Sequence, residues 1–213
     1  MDERNRGPAE APNFGEPAVP RPAASVVLLR RGGKHSERAL EVLLLKRTEE
    51  AKFMPGVWVF PGGAVDDGDG EDEARFKVCA VRELEEEAGI VLGPEEELIL
   101  FSRWITPEAV SRRFDAWFFL ALAPAHTPPK PDGVETVDAA WFEPSQALAA
   151  QSAGDLVLAF PTIKQLELLS EFKTADEALS AHRNRPVQPI LPKVIGSSAD
   201  HHVVLPGDPD YPD

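Results

Sequence analysis

The stretch Arg82-Glu83-Leu84-Glu85-Glu86-Glu87-Ala88-Gly89-Ile90 constrains this chain more than any other. On a helix, Glu83, Glu86 and Glu87 stand at i, i+3 and i+4, so their carboxylates share one face. Val81, Leu84 and Ala88 form the opposite, apolar stripe. Gly89 is a natural stop, which places the acids in the last turns. That end of a helix is negative, and each carboxylate there costs about 0.3–1 kcal/mol. Like charges at i, i+4 add roughly 0.2–0.5 kcal/mol per pair. Arg82, four residues before Glu86, offsets part of this but cannot neutralise three carboxylates. A solvated acidic face is the ordinary meaning of a charge run, and it suffices for Glu85, which points elsewhere. For the other three, the simplest source of the missing positive charge is a bound hard cation, Mg²⁺ or Mn²⁺, which prefers oxygen ligands. Upstream, Pro61-Gly62-Gly63 is a turn that lets backbone approach a ligand closely.

Around this helix the periodicity predicts strands at Ala24–Arg31, Leu40–Arg47, Val57–Phe60, Glu97–Ile105, Phe114–Leu122 and Thr136–Phe142. The acidic helix itself is expected over Glu71–Ala88. Pro144 opens a helix reaching about Ala150. Pro161–Phe172 and Ala175–His182 read as two more, and His201–Leu205 as an edge strand. Gly32–Ser36 reads as a turn, with His35 solvated in it. Residues 1–21 are rich in Pro, Ala, Gly and Glu and read as a disordered arm. Residues 184–213 read as a Pro-rich extension, leaving a domain over 22–183. Strands on both sides of a central helix, with more helices late, predict a mixed sheet between helical layers, an α/β fold.

The net charge of −14 disfavours nucleic acid and anionic membranes as partners. Nothing approaches the roughly 20 apolar residues of a bilayer span, and the N-terminus lacks a signal-peptide core. The single cysteine, Cys79, excludes an internal disulfide and fits a reducing compartment. The expected place is the cytoplasm, with Cys79 a buried, inert thiol.

Gly63 … Arg82-Glu83-Leu84-x-Glu86-Glu87-x-Gly89-Ile90 resembles the signature of the Nudix hydrolases, G-x5-E-x7-R-E-U-x-E-E-x-G-U, where U is a bulky aliphatic. The second half matches at every fixed position. The first half departs: eighteen residues, not thirteen, separate Gly63 from Arg82, and the motif's glutamate position holds Ala74. The extra residues are acidic (Asp66, Asp67, Asp69, Glu71, Asp72, Glu73), and Glu73 is the expected replacement for the missing glutamate. The run is not a calcium loop, since the glycine at position six is absent.

This resemblance implies the α/β/α sandwich of the Nudix fold and hydrolysis of a diphosphate linkage in a small nucleoside diphosphate derivative. It implies Glu83, Glu86 and Glu87 as metal ligands, joined by the Gly62 or Gly63 carbonyl, with Arg82 orienting a glutamate. A general base is expected from Glu83, or from Glu96, Glu97, Asp115 or Glu135 on separate loops. Leu43–Thr48 with Gly56–Gly63, Phe53–Gly56, Trp104–Pro107 and Arg113–Asp115 look most like the peroxisomal coenzyme A diphosphatase subgroup and its bacterial relatives. That narrower resemblance implies coenzyme A or acyl-CoA as substrate. Arg47 and Lys52 are candidates to hold its phosphates, with an exposed strand-end or loop cation as the competing reading, and Trp58 is a candidate to stack on its base. For Trp58 and Trp104, core packing is the competing reading. Hydrolysis of ADP-ribose or NADH-type dinucleotides and non-catalytic nucleotide sensing are the alternative functions, and a homodimer is compatible with all of them.

Overall fold

The computed structural model describes residue 13 and residues 15–31, 40–197 and 200–212. The expected Gly32–Ser36 turn with His35, and the first twelve residues of the N-terminal arm, lie outside the described residues. Among the described residues, ten strands and four helices follow one another as β1 (Arg21–Arg31), β2 (Leu40–Arg47), β3 (Trp58–Val59), β4 (Gly62–Ala64), α1 (Ala74–Ala88), β5 (Ile99–Ile105), β6 (Phe114–Leu122), β7 (Thr136–Phe142), α2 (Pro144–Ala153), α3 (Phe160–Leu169), α4 (Ala175–His182), β8 (Pro189–Ile190), β9 (Lys193–Ser197) and β10 (Asp200–Val204).

β1 is the axis of the sheet. It runs parallel to β6 from Arg21 opposite Phe114 to Leu29 opposite Leu122. On its other side it pairs antiparallel with β2 and with β4, where Ser25 faces Gly62 and Ala24 faces Gly63. β3 and β7 flank β2, β5 lies antiparallel to β6, and β8 adds a short parallel rung outside β5. The sheet is therefore mixed, and helices cover both faces.

Alternation along β1 shows why it reads as an unbroken apolar run. Ala24, Val26 and Leu28 face α1, packing with Cys79, Ala80, Leu84 and Ala88. Val27 and Leu29 face α3 and α4, packing with Ile163, Leu166 and Ala178. A strand buried on both faces has no polar alternation to show.

The expected elements hold with shifted ends. β2, β6, β7 and α4 start and stop where the periodicity puts them. The acidic helix begins at Ala74 rather than Glu71, because residues 67–69 form a separate helical turn. The first strand begins at Arg21, and Ala18 accepts a hydrogen bond from the buried Arg113 guanidinium (2.8 Å). β4, β8 and β9 have no counterpart in the sequence reading. Among the described residues, no helix is long and apolar enough to cross a membrane.

Candidate active site

α1 owes its place to its two ends. Phe76, in the first turn, stacks flat on Trp117 of β6 with ring centroids 4.4 Å apart. At the other end Gly89 takes φ 64°, a left-handed conformation, and its N–H closes on the Glu85 carbonyl. The Ala88 carbonyl accepts from Lys130 N (2.7 Å), and the Glu87 carbonyl accepts from the Thr136 hydroxyl (2.8 Å). The helix C-terminus is thus pinned to the loop that enters β7.

The acidic face then meets the β4 backbone. Glu87 is only 4% exposed, and its carboxylate accepts from Gly62 N at 2.9 Å. Burial pushes it up to about 8, opposed by that N–H and by Arg47, and assisted by the negative Glu83 and Glu135. Glu83 is also raised, first by burial, against the pull of Arg82. A methyl group at Gly63 would displace the Glu83 carboxylate from its place against β4. Gly62 is crowded in the same way by Ser25 and the Ala24 carbonyl of β1. Gly62 thus lets β4 pack closely on β1, and Gly63 lets the Glu83 carboxylate lie against β4.

Arg82 organises the cluster. Its Nε and Nη2 donate to the two oxygens of Asp69, both at 2.9 Å. Nη2 also donates to the Ala64 carbonyl (3.2 Å). Nη1 donates to Glu83 (2.8 Å) and Glu86 (2.9 Å). Asp69, not Glu73, therefore faces the arginine. Glu73 is exposed and precedes the first turn of α1 with no side-chain bond to it. The guanidinium holds the Asp69 carboxyl below the usual carboxylate range. The signal was available in the sequence: Asp69 is the acid whose neighbours, Gly68 and Gly70, permit a tight turn back toward the helix.

The residues present suit a hard cation, since the donors are carboxylate and carbonyl oxygens and Glu87 is a buried acid with a raised pKa. The cage is not closed, however. Among the described residues no three acidic, His or Cys side chains are gathered as a ready set of ligands. Glu86 is 58% exposed and turned onto Arg82. Three carboxylates repel one another, and here the guanidinium bridges two of them.

The other expected residues divide. Arg47 lies near enough to Glu87 to lower it, and its Nε donates to the Phe53 carbonyl (3.0 Å), which aims it along the 48–56 loop. Lys52 is exposed on that loop. Trp58 is a correction to the expected base-stacking role. It is 8% exposed, sits in the core on the face of the sheet away from α1, and packs edge-on against Phe142 at 5.5 Å. Trp104 is in that core as well, against Phe160. Of the candidate bases, Glu97 is paired with Arg183 and Asp115 with Arg103. Glu96 lines a separate cleft with Arg30 and Trp141. Glu135 alone among these four acts electrostatically on both Glu83 and Glu87. Cys79 is buried, with its thiol pushed up to about 12 chiefly by burial, so it is inert as expected.

A helix laying Arg-Glu-x-x-Glu-Glu across a glycine strand of a mixed sheet defines a class of hydrolases. The model of the NUDIX domain matches residues 19–160, and this chain belongs to the Nudix family as a diphosphohydrolase. It is 29% identical to "Putative nudix hydrolase 7" of Caenorhabditis elegans, over 91% of this chain and 75% of that protein. It is 24% identical to the acyl-coenzyme A diphosphatase NUDT19 of Xenopus laevis, over 81% of this chain and 72% of that protein. Among solved structures, a Nudix hydrolase from Alicyclobacillus acidocaldarius superposes with a TM-score of 0.69 at 25% identity, covering 79% of this chain and 99% of that one. Nudix enzymes act on diphosphate-containing nucleotide derivatives and use divalent ions.

Proposed function

We propose that this chain is a Mg²⁺- or Mn²⁺-dependent hydrolase that cleaves the diphosphate of coenzyme A or an acyl-CoA. The observation that carries the site is the buried Glu87 carboxylate, held by Gly62 N beside Glu83 and Arg47. In this reading Glu83, Glu86 and Glu87 hold the ion, with a Gly62 or Gly63 carbonyl. The ion supplies charge neutralisation and Lewis-acid polarisation of the diphosphate. Arg82 fixes the rotamers of Glu83 and Glu86 by charge-assisted hydrogen bonds.

Glu135 takes the proton of the attacking water. Its placement supports this role. Asp132 accepts from the N–H groups of Val134, Glu135 and Thr136, and the Thr136 hydroxyl ties the turn to α1. Arg47, at the end of β2, and Lys52, on the loop that follows it, meet substrate phosphates. The coenzyme A assignment is supported by the segments shared with that subgroup at Leu43–Thr48 and Gly56–Gly63, and by the likeness to an acyl-coenzyme A diphosphatase.

Incubation with Mg²⁺ and, separately, coenzyme A, an acyl-CoA, ADP-ribose, NADH and diadenosine polyphosphates tests this, with products identified by mass spectrometry. The expected products from coenzyme A are 3′,5′-ADP and 4′-phosphopantetheine. Turnover of ADP-ribose or NADH with coenzyme A left intact overturns the substrate. Tight binding of any of them without turnover overturns catalysis in favour of sensing.

A further inference from the structure

In this chain the position that carries the motif's first glutamate holds Ala74, an exposed residue opening α1. We propose that Asp69, delivered by the inserted turn at residues 66–70, is the positioning residue that sets Arg82 against the metal-binding carboxylates. The inference rests on the reading of Glu83 and Glu86 as metal ligands.

Hydrogen-bond capacity carries the argument. A guanidinium has five N–H donors in one plane. Arg82 uses all five: Nε on Asp69, Nη2 on Asp69 and the Ala64 carbonyl, Nη1 on Glu83 and Glu86. The two-point Asp69 contact occupies the Nε–Nη2 edge, the edge that grips carboxylates best. Only Nη1 is left for Glu83 and Glu86, which receive one bond each. Without Asp69, the strong edge is free to swing onto Glu83 or Glu86, pair it at two points and withdraw it from an ion.

Asp69 is itself held for the task. Its side chain is 2% exposed. Its second oxygen accepts from Asp66 N (2.8 Å), while its own N–H donates to the Asp66 carbonyl (3.0 Å). Gly70, at φ 104°, turns the chain out immediately afterwards. The insertion is thus a self-closed turn that presents the buried Asp69 carboxylate, with the exposed Asp66 carboxylate a looser 3.9 Å from Nη2, and Glu73 does not share its function.

The test compares wild type, Asp69→Asn, Asp69→Glu and Glu73→Gln, reading Mn²⁺ binding by electron paramagnetic resonance, steady-state kinetics and melting temperature. Loss of a residue that orients metal ligands is expected to weaken Mn²⁺ binding about 10–100-fold in D69N. Its kcat falls in step while KM for the substrate stays within about twofold, since ground-state contacts are untouched. D69E, with the carboxylate one methylene further out, falls between D69N and wild type. E73Q matches wild type. Folded D69N with unchanged Mn²⁺ affinity overturns the inference, as does an equal loss in E73Q. If D69N does not fold, D69E decides: unchanged Mn²⁺ affinity and kcat in it overturn the inference. Absence of Mn²⁺ binding in wild type overturns the underlying metal site instead, so the two failures are separable.

Discussion

Glu87 is the residue on which the proposed chemistry turns. Replacing Glu86 or Glu87 by Gln removes the charge of a proposed ligand oxygen while keeping its shape, so turnover should fall by orders of magnitude with the fold intact; unchanged turnover takes that residue out of the site. The burial of Glu87 also sets a pH dependence. Its folded value is about 8 against 4.5 in the open chain. Between those values the folded state keeps a proton that the unfolded state has released. The stabilisation from this group is therefore fully present below pH 4.5 and lost as pH rises through about 8. Urea midpoints in EDTA should fall between about pH 5 and pH 8 in wild type and fall less in Glu87→Gln. Asp69 and Asp132, with lowered values, act with the opposite sign at more acid pH. Mg²⁺ should flatten the profile, because an ion that requires the ionised carboxylate competes with the proton. A flat EDTA profile would show Glu87 ionised throughout. At this scale the sequence was readable where spacing alone decides: i, i+3, i+4 put three acids on one face. Before the helix begins, helical spacing no longer decides: counting back from Arg82 points to Ala74 and its neighbour Glu73, and only the flanking Gly68 and Gly70 mark the turn that puts Asp69 there.

Among the elements, α1 and its two attachments decide whether the acids meet β4. Gly89 holds a left-handed φ of 64° and closes the helix. Gly89→Ala puts a side chain into that conformation, at a cost of about 1 kcal/mol. A loss of that size in a chain this long lowers the melting temperature by about 2–4 °C. Activity should fall more than that suggests, since Glu86 and Glu87 lie within the last turn. Differential scanning calorimetry with Mg²⁺-dependent turnover checks both, and an unaltered kcat would show that the last turn does not set ligand geometry. β2 and β6 were legible because they are apolar runs of strand rather than helix length, and β7 because Gly133 and Pro144 bound it. β4 was not, because Gly62-Gly63-Ala64 carries no side-chain pattern; its strand character comes from pairing with Ala23, Ala24 and Ser25. Trp58 shows the limit of proximity in sequence. It stands three residues before Pro61, yet strand alternation sends its ring to the face opposite α1.

On the scale of the whole molecule, the C-terminal segment closes an edge that the domain otherwise leaves open. β5 pairs with β6 on one side, and on the other with β8, where Pro189 and Ile190 run beside Arg103 and Trp104. The hairpin of β9 and β10 follows. The segment is closed on itself by the Tyr211 hydroxyl on the Leu191 carbonyl (2.8 Å) and by Lys193 on the Pro212 carbonyl. Proline suits an edge rung because it offers no N–H to a further strand. The Pro-rich composition that marked residues 184–213 as an extension is thus compatible with pairing on the sheet. Removing residues 189–213 should bare unpaired backbone along β5 and expose Ile190's contacts in the core, a template for self-association. The truncated chain should melt several degrees lower and elute with concentration-dependent mass in size exclusion with light scattering. Its Mn²⁺ affinity should be retained, since α1, β4 and the 132–136 turn touch none of the removed strands among the described pairings. A truncated chain that stays at its original mass with an unchanged melting temperature would show that β8 adds no cover, and that β5 is protected by its own twist and charge.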